Sequence, residues 1–395
     1  MTAQADRPFT SFLIATEESG DRLGAGLMQA LKRKRAGQVG FVGVGGHGMA
    51  AEGLSSLFAI DDLAIIGFAA IPRRLPKILR HIREAADAVI AAQPDVLVII
   101  DSPDFTHRVA RRVRRAMPTL PIIDYVSPSV WAWRPGRAAA MRAYVDHVLA
   151  LLPFEPEAHA RLGGPACTYV GHPIVDHAPA LRPNTEEARR RLADPPRVLL
   201  LPGSRSAEVR RLLSLFKAAL DLLAARSGPL DVVLPTVPHL LARVQEATAG
   251  WRVRPRVVVS ADDKWAAFRT ARAAIAASGT VSLELAVAGV PTVIAYTVPL
   301  FEELIARALI QVPSIVLANL VLGENVMPEV LQRQATPQRL AQTLMPLLGD
   351  TPERRRQIEA FGRLDRIMQI GGTSPSEKAA DIVLKAPHLR REVGT

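Results

Sequence analysis

The sequence predicts an α/β protein built from two doubly wound domains, each with a parallel sheet wound by helices. With 395 residues, the chain exceeds one ordinary hydrophobic core but falls short of three. In both halves, short apolar runs rich in β-branched residues alternate with longer segments of helical period. A polar, proline-containing stretch at residues 174–190 interrupts this alternation, which indicates a domain boundary.

The predicted strands follow one another in the order expected of such domains. In the first half they are Ser11–Thr16, Val39–Val44, Asp95–Asp101, Pro121–Val126, His147–Leu152 and Thr168–Gly171. In the second half they are Arg197–Leu201, Asp231–Pro235, Val257–Ser260, Ala274–Ala277 and Thr292–Tyr296. We expect domains at residues 1–178 and 179–365, and a C-terminal helix within 366–395 that packs back on the first domain. Because ligands of open α/β sheets bind beyond the carboxyl ends of strands, two facing sheets would enclose a shared cleft.

Composition excludes several classes of protein. Apolar residues make up 49% of the chain, but no run reaches the roughly 18 residues that a membrane-spanning helix needs. The amino terminus lacks the pattern of a signal peptide, so we expect a cytoplasmic protein. The single cysteine, Cys167, rules out an intrachain disulfide, and no Cys/His cluster has the spacing of a zinc site. We therefore predict no bound metal.

The formal charge of +11 predicts attraction to nucleic acid, phosphorylated substrates or an anionic bilayer, and charge alone does not choose among them. No nucleic-acid-binding motif is visible in the sequence, so we expect no nucleic acid partner. Between Pro72 and Arg83, basic residues are interleaved with apolar ones such as Leu75 and Leu79 at helical spacing. This basic amphipathic helix fits either a membrane interface or an ordinary surface position.

Two glycine turns in the second half each follow an apolar strand and open a helix. The first contains Gly203, Ser204 and Arg205, and the second contains Ser278, Gly279 and Thr280, with Glu284 one helical turn later. Backbone N–H groups in such turns bind phosphate oxygens, and the forked Arg205 guanidinium suits a diphosphate. Glu284 would accept hydrogen bonds from ribose hydroxyls. The alternatives are a solvated arginine and a carboxylate that stabilises the helix start.

The first half carries carboxylates at strand ends. Asp101 directly ends an apolar strand, where a carboxylate can serve as the base that deprotonates a sugar hydroxyl. Helix capping is the alternative for Asp101, and it is the better explanation for Asp104, which lies nearer the next helix. The end of the first strand adds three candidates that either line the cleft or cap the following helix, namely Glu17, Ser19 and Asp21.

Aromatic, imidazole and amide side chains complete the set of candidates. Trp131 and Trp133 precede an arginine in a predicted loop, where the rings either stack on sugar and acyl groups or serve as packing anchors. His172 follows another strand and would contact a ligand or support the turn. Asn319, after an apolar run in the second domain, is a further candidate for a polar contact.

Taken in order, these segments resemble the motif series of the bacterial lipid-A-disaccharide synthase family. The resemblance extends from about residue 11 to about residue 385, and its most specific element is the run Val126–Arg134. The order of the motifs carries the resemblance. The motifs are Glu17–Asp21, Asp101–Phe105, Tyr125–Arg134, Leu152–Glu155, Val170–Pro173, Leu201–Glu208 and Ala277–Glu284.

The resemblance implies a GT-B fold, in which two Rossmann-like doubly wound domains face each other across a cleft. It implies transfer from UDP-2,3-diacylglucosamine to 2,3-diacylglucosamine 1-phosphate (lipid X), which gives lipid A disaccharide 1-phosphate and UDP. The transfer inverts the donor's anomeric carbon and requires no metal; the UDP-sugar is a substrate, and no cofactor is implied. Because both substrates are lipids, the resemblance implies a peripheral position at the anionic cytoplasmic face of the inner membrane.

The resemblance also implies roles for single residues. Asp101 corresponds to the family's base, and Asn319 corresponds to an asparagine near the donor. The phosphate contacts correspond to Gly203, Ser204 and Arg205. The nucleotide loop corresponds to Ser278, Gly279, Thr280 and Glu284. The chain departs from the family pattern at four places. The family usually has glycine at the position of Thr16, asparagine at Thr106, a basic residue at Thr297 and Arg-Glu at Glu324-Asn325. A carboxylate beside a diphosphate is unfavourable unless Glu324 points away.

Three alternatives are also compatible with the sequence. Another GT-B nucleotide-sugar enzyme, such as an epimerase or a transferase with a soluble acceptor, would share both glycine turns without needing the amphipathic helix. A nucleic-acid-binding protein would use the positive charge, and a degenerate lipid-binding scaffold would explain the departures. A homo-oligomer is compatible with the sequence, which determines neither the oligomeric state, the acyl-chain length nor domain closure.

Overall fold

The computed structural model describes residues 8–63, 71–299 and 312–389, together with Phe301, Glu303, Leu304 and Leu309. The chain forms two compact units. One comprises Met1–Pro173 and Thr373–Thr395, and the other comprises Ile174–Gly372. The C-terminal segment therefore belongs to the same unit as the amino terminus.

The first unit contains a six-stranded parallel sheet in the order β2-β1-β3-β4-β5-β6. Its strands are β1 (Phe9–Ala15), β2 (Val39–Val44), β3 (Val96–Ile100), β4 (Ile122–Tyr125), β5 (His147–Ala150) and β6 (Ala166–Tyr169). Its described helices are Glu18–Lys34, His47–Ala51, Ile71–Ala92, Pro103–Ala116, Gly136–Met141, Glu155–Arg161 and Pro375–Leu389, with a 3-10 turn at Ile60–Leu63. The strand order progresses outward from β1 in both directions, as in other doubly wound sheets.

Helices cover both faces of this sheet, which explains why its central strands are apolar at successive positions. Side chains of a strand alternate between faces. In β1, Phe12 and Ile14 belong to one buried cluster, which also contains Val89 and Val109 of two helices. Leu13 belongs to a second cluster, which the helices Glu18–Lys34 and Pro375–Leu389 complete. Strands buried on both faces lose the apolar–polar alternation of half-exposed sheets.

The second unit repeats this architecture with a six-stranded parallel sheet in the order β12-β11-β10-β7-β8-β9. Its strands are β7 (Arg197–Leu201), β8 (Asp231–Pro235), β9 (Arg256–Val258), β10 (Ala273–Ala276), β11 (Thr292–Tyr296) and β12 (Glu329–Leu331). Its described helices are Ile174–Leu181, Thr185–Leu192, Ser206–Ser227, Leu241–Thr248, Ala261–Thr270, Val281–Val287, Leu317–Leu322, Pro337–Leu348, Pro352–Gly362 and Leu364–Ile367, with 3-10 turns at Pro238–Leu240 and Gln332–Gln334. The doubly wound α/β prediction is confirmed for both units.

Every predicted strand is present, and the differences lie at the ends. The strand predicted at Thr168–Gly171 ends at Tyr169, and Gly171, two residues later, has a φ of +110°. The strand predicted at Val257–Ser260 ends at Val258, because the Ser260 hydroxyl accepts a hydrogen bond from Asp263 N and caps the next helix. The prediction missed β12, which has only three residues.

The predicted amphipathic helix is present as Ile71–Ala92, although the side chains of residues 71–74 and the apolar residues 64–70 before it lie outside the described part of the chain. Leu75 and Leu79, one helical turn apart, are 42% and 37% exposed. Among the helices that the structure describes, none is long and apolar enough to cross a membrane.

Candidate active site

The second unit contains a cavity of about 370 Å³ between its two glycine turns. The turns are neighbours because β7 and β10 pair in parallel, with Leu201 opposite Ala276. Consequently both strands end at the same edge of the sheet, and the segments that follow them meet there. The cavity is lined by all six turn residues predicted as phosphate contacts, namely Gly203, Ser204, Arg205, Ser278, Gly279 and Thr280.

The first turn requires glycine because its backbone adopts a left-handed conformation close to a carboxylate. Gly203 has a φ of +104°, and a Cβ atom there would lie 2.4 Å from Glu208 Oε2. Glu208 is buried and accepts a hydrogen bond from Arg205 Nη1 at 3.1 Å. Arg205 is 80% exposed, so the buried carboxylate holds an otherwise free guanidinium at the cavity wall.

The second turn has open space beside Gly279, and hydrogen bonds hold its remaining residues. Gly279 has a φ of +152°, and a Cβ atom there would meet no atom within 4 Å. The Ser278 hydroxyl donates to Ile315 O at 2.7 Å, and the Ser282 hydroxyl donates to Gly279 O at 2.9 Å. These bonds hold the turn in place and leave room for a ligand against its backbone.

The sequence analysis missed two polar residues of the cavity, Lys264 and Thr236. Lys264 lines the cavity, and its Nζ lies 2.5 Å from Glu284 Oε2. Lys264 belongs to the helix after β9, and an isolated lysine in a short helix gives no signal in the sequence. Thr236, at the carboxyl end of β8, also lines the cavity, and its hydroxyl has no hydrogen-bond partner among the described residues. Both residues lie at the cavity because β8 is next to β7 in the sheet and β9 is next to β8, so the segments that follow these strands are neighbours.

Asn319 is buried and fully engaged in hydrogen bonds. Its Oδ1 accepts from Met327 N at 2.8 Å, and its Nδ2 donates to Met327 O at 2.9 Å and to Glu329 Oε1 at 3.2 Å. Glu329 Oε2 in turn accepts from Ile315 N, the residue whose carbonyl oxygen holds Ser278. Asn319 thus supports the second glycine turn through two intermediates, and it is not among the residues that line the cavity.

The family departures have local explanations at two positions. Glu324 forms ion pairs with Arg363 and Arg356, which lower the pKa of its carboxyl group, and it does not line the cavity. Its negative charge is therefore balanced by two arginines that do not line the cavity either. The Thr106 hydroxyl lies 2.7 Å from Asp101 O and donates to it. In this chain, threonine supports the backbone of the strand end where asparagine is usual.

In the first unit, the structure brings Asp101, Glu17 and Ser19 together. They meet because β1 and β3 pair with Ala15 opposite Ile100, so both strands end at one edge. Asp101 Oδ1 accepts from Ser102 N at 2.7 Å, and Ser19 Oγ lies 3.5 Å from Asp101 Oδ2. Ser102 Oγ donates to Glu17 Oε1 at 3.0 Å. The result is a partly exposed carboxylate with one oxygen held by the backbone.

Asp21 is separate from this cluster. Its buried carboxylate accepts hydrogen bonds from Gly46 N, Gly48 N and Met49 N at 2.7, 2.7 and 3.0 Å. These bonds satisfy the first N–H groups of the helix His47–Ala51, so the structure gives Asp21 a capping task at a helix other than its own. Asp104, for which capping was expected, instead pairs with Arg137 at 3.1 Å.

The tryptophan loop, residues 126–134, contains one packed and one arginine-bound indole. Trp131 packs edge-on against Phe154, and its Nε1 donates to Glu155 Oε1 at 3.0 Å. Burial raises the pKa of Glu155 to about 7, although N–H groups of Leu152 and Trp131 act in the opposite direction. The guanidinium of Arg134 instead lies over the ring of Trp133, with the Arg134 Cζ atom 4.4 Å from the ring centroid. His172 lies in the same unit, where burial lowers the pKa of its imidazole to about 4.

Comparison with known proteins identifies the family. A family model described as lipid-A-disaccharide synthetase matches residues 11–383. A protein named lipid-A-disaccharide synthase from Nitrobacter hamburgensis is 60% identical over 380 residues, which cover 96% of each chain.

Solved structures with the same fold have little sequence in common with this chain. The Acinetobacter baumannii MurG structure has a TM-score of 0.58 at 18% identity and covers 96% of this chain and 100% of its own. The UDP-GlcNAc 2-epimerase from Neisseria meningitidis has a TM-score of 0.60 at 12% identity, with coverages of 95% and 99%. These likenesses confirm the predicted GT-B type of fold.

The buried Glu155 predicts a pH dependence of stability. Its pKa rises from 4.5 in the unfolded chain to about 7, so the folded state retains a proton that the unfolded state releases between these values. The contribution of Glu155 to the free energy of unfolding therefore falls by about 3 kcal/mol as pH increases from about 4.5 to 7. His172, with its pKa lowered by burial to about 4, contributes in the opposite direction, so the effect of Glu155 is read as the difference between wild type and a variant. We expect the stability of Glu155→Gln relative to wild type to rise by this amount over the same pH range, in urea unfolding followed by tryptophan fluorescence. Glu157→Gln, at an exposed position in the same helix, should follow the wild-type pH profile, and identical profiles for both variants would contradict the assignment.

Proposed function

The chain belongs to the lipid-A-disaccharide synthase family, whose members are glycosyltransferases, and we propose that it transfers the sugar of UDP-2,3-diacylglucosamine to 2,3-diacylglucosamine 1-phosphate. The products are UDP and lipid A disaccharide 1-phosphate. The observation that carries the proposal is the cavity in which both glycine turns meet. A nucleotide-sugar epimerase and a soluble-acceptor transferase are not favoured, because the family match covers nearly the whole chain.

The donor half of the proposal rests on the chemistry of the cavity wall. The diphosphate of UDP lies against the backbone N–H groups of the two turns, and the Arg205 guanidinium binds its oxygens. Glu284 accepts hydrogen bonds from the ribose hydroxyls, in exchange for its contact with Lys264. These directed donors stabilise the charge that develops on the leaving UDP. In keeping with the family resemblance, the proposed reaction uses no metal and no cofactor.

The acceptor half rests on Asp101. In the proposed step, the acceptor hydroxyl oxygen attacks the donor's anomeric carbon while its proton passes to the Asp101 carboxylate. The bond from the anomeric carbon to the diphosphate breaks, and UDP leaves with the bonding electrons, so the configuration at this carbon inverts. Ser102 N and Ser19 support the carboxylate at its two oxygens, which leaves its orientation defined before substrate arrives.

Because both substrates are lipids, we also propose that the enzyme works at the anionic cytoplasmic face of the inner membrane. The support is the helix Ile71–Ala92, on which the exposed Leu75 and Leu79 lie beside basic residues such as Arg80 and Arg83. Exposed leucines one turn apart enter the interface between headgroups and acyl chains, and neighbouring arginines pair with anionic lipids.

The first prediction concerns the base. Wild-type protein, assayed in detergent with EDTA, should convert the two substrates to disaccharide and UDP, as followed by mass spectrometry. Asp101→Asn should lower kcat by roughly 10²-fold or more with unchanged UDP affinity, because only proton transfer is lost. Asp381→Asn, at a surface ion pair with Lys34 in the same unit, is the control. Near-normal turnover by Asp101→Asn would reject Asp101 as base, and no product from wild type would reject the reaction.

The second prediction concerns the diphosphate contact. Arg205→Ala should weaken UDP binding by roughly tenfold to hundredfold in calorimetric titration, because a charge-assisted hydrogen bond is lost. Binding of uridine, which lacks phosphates, should not change. Arg226→Ala removes an exposed arginine from the other end of the same helix and should leave both affinities unchanged. Equal effects of Arg205→Ala on UDP and uridine would rule out a phosphate contact.

The third prediction concerns the membrane. The double variant Leu75→Ser/Leu79→Ser should bind vesicles of phosphatidylglycerol and phosphatidylethanolamine on the order of tenfold more weakly in flotation assays, since apolar area no longer enters the interface. Leu192→Ser, at a leucine that is 71% exposed in the other unit, is the matched control. If both proteins float like wild type, this helix is not the membrane contact.

A further inference from the structure

We propose that Arg134 and Arg137, which both contact the ring of Trp133, form the binding site for the phosphate group of the acceptor. The ligand class is a sugar phosphomonoester. This inference rests on the proposed function, because it requires an acceptor that carries a phosphate. It assigns a task to the most specific segment of the sequence, which the donor cavity and Asp101 leave without one.

The two guanidinium groups are held at one aromatic ring. The Cζ atom of Arg134 lies 4.4 Å from the Trp133 ring centroid, and that of Arg137 lies 5.8 Å from it. A backbone hydrogen bond from Arg137 N to Arg134 O, at 2.9 Å, closes the turn between them. A guanidinium on an aromatic face keeps its N–H groups at its edge, where they can bind phosphate oxygens in pairs.

The charges of this cluster leave one cation unpaired. Asp104 pairs with Arg137 at 3.1 Å. Among the described residues, no carboxylate lies within 4 Å of the Arg134 guanidinium, and Arg134 is exposed. Two guanidinium groups and one carboxylate carry a net charge of +1, so an incoming phosphate meets an attractive site in which Asp104 already orients one of the arginines.

The backbone of Arg134 is strained, and buried contacts maintain the strain. Its φ is +53°, a left-handed conformation that is costly for a residue with a Cβ atom. The loop before it is held by the hydrogen bonds from Trp131 to Glu155 and between Ser127 Oγ and His159 Nε2, the latter at 2.8 Å with both residues buried. Strain kept in place by such a frame is typical of functional positions.

The cluster lies beside the proposed base. β3 and β4 pair with Ile100 opposite Tyr125, so Asp101 and the tryptophan loop leave the sheet at adjacent strand ends. Asp104, three residues after Asp101, contacts Arg137 directly. A phosphate bound by the two arginines and a hydroxyl presented to Asp101 therefore lie at the same edge of the sheet, as binding of one sugar phosphate requires.

The test compares acceptors with and without phosphate. Binding of diacylglucosamine 1-phosphate and of diacylglucosamine is measured in detergent by tryptophan fluorescence. Wild type should prefer the phosphorylated sugar by roughly tenfold to hundredfold. Arg134→Asn should lose most of this preference, and asparagine is chosen because it tolerates the left-handed backbone. Arg142→Asn, at an exposed arginine beyond the short helix Gly136–Met141, should keep the preference.

The outcomes separate this site from the reaction. If wild type shows no preference, or if Arg134→Asn retains it while its UDP affinity is normal, the phosphate site is overturned, whether or not disaccharide forms. If the preference depends on Arg134 but wild type makes no disaccharide, the phosphate site stands and the proposed reaction fails. Arg137→Gln should reduce the preference as well, and an unaltered preference in this variant would confine the site to Arg134 and overturn the two-arginine arrangement.

Discussion

The parallel pairing of neighbouring strands is the constraint on which both candidate sites depend. Ala15 lies opposite Ile100 in the first sheet, and Leu201 lies opposite Ala276 in the second. A shift by one residue would exchange the two faces of a strand and separate the segments that follow the strand ends. Burial of both faces opposes such a shift, so the forces that stabilise the cores also determine the positions of Asp101 and of the glycine turns.

The diphosphate site proposed in the second unit relies on the direction of its donors more than on net charge. Arg205 is held by Glu208, and Lys264 is held by Glu284, so these four side chains sum to zero. At its exposure, the Arg205 pair contributes little to stability, and its value lies in orientation. For the proposed diphosphate, a guanidinium that is already held at the cavity wall lowers the cost of ordering it on binding.

How far the sequence predicts the site depends on whether a residue acts locally. Gly203 and Arg205 are recognisable because a turn after an apolar strand needs only its own segment. Lys264 and Thr236 are not, since they reach the cavity through the order of strands, which a single sequence does not reveal. Asp21 shows the opposite failure: a carboxylate beside a strand end suggests a ligand, yet its partners are backbone N–H groups more than twenty residues away. The strand β12 was too short to leave a pattern.

Backbone strain is concentrated in the segments that contain the proposed acceptor site. Eight described non-glycine residues have a positive φ, and four of them, Asp101, Ser102, Val126 and Arg134, lie in the segments that follow β3 and β4. A β-branched valine at +92° is especially unfavourable. Such positions persist only where surrounding contacts over-determine them, as Thr106 does at Asp101 and Glu155 does at the tryptophan loop. Because adjacent strands bring these four residues to one edge of the sheet, the fold keeps a strained backbone, at the expense of stability, beside the carboxylate that is proposed to take the proton.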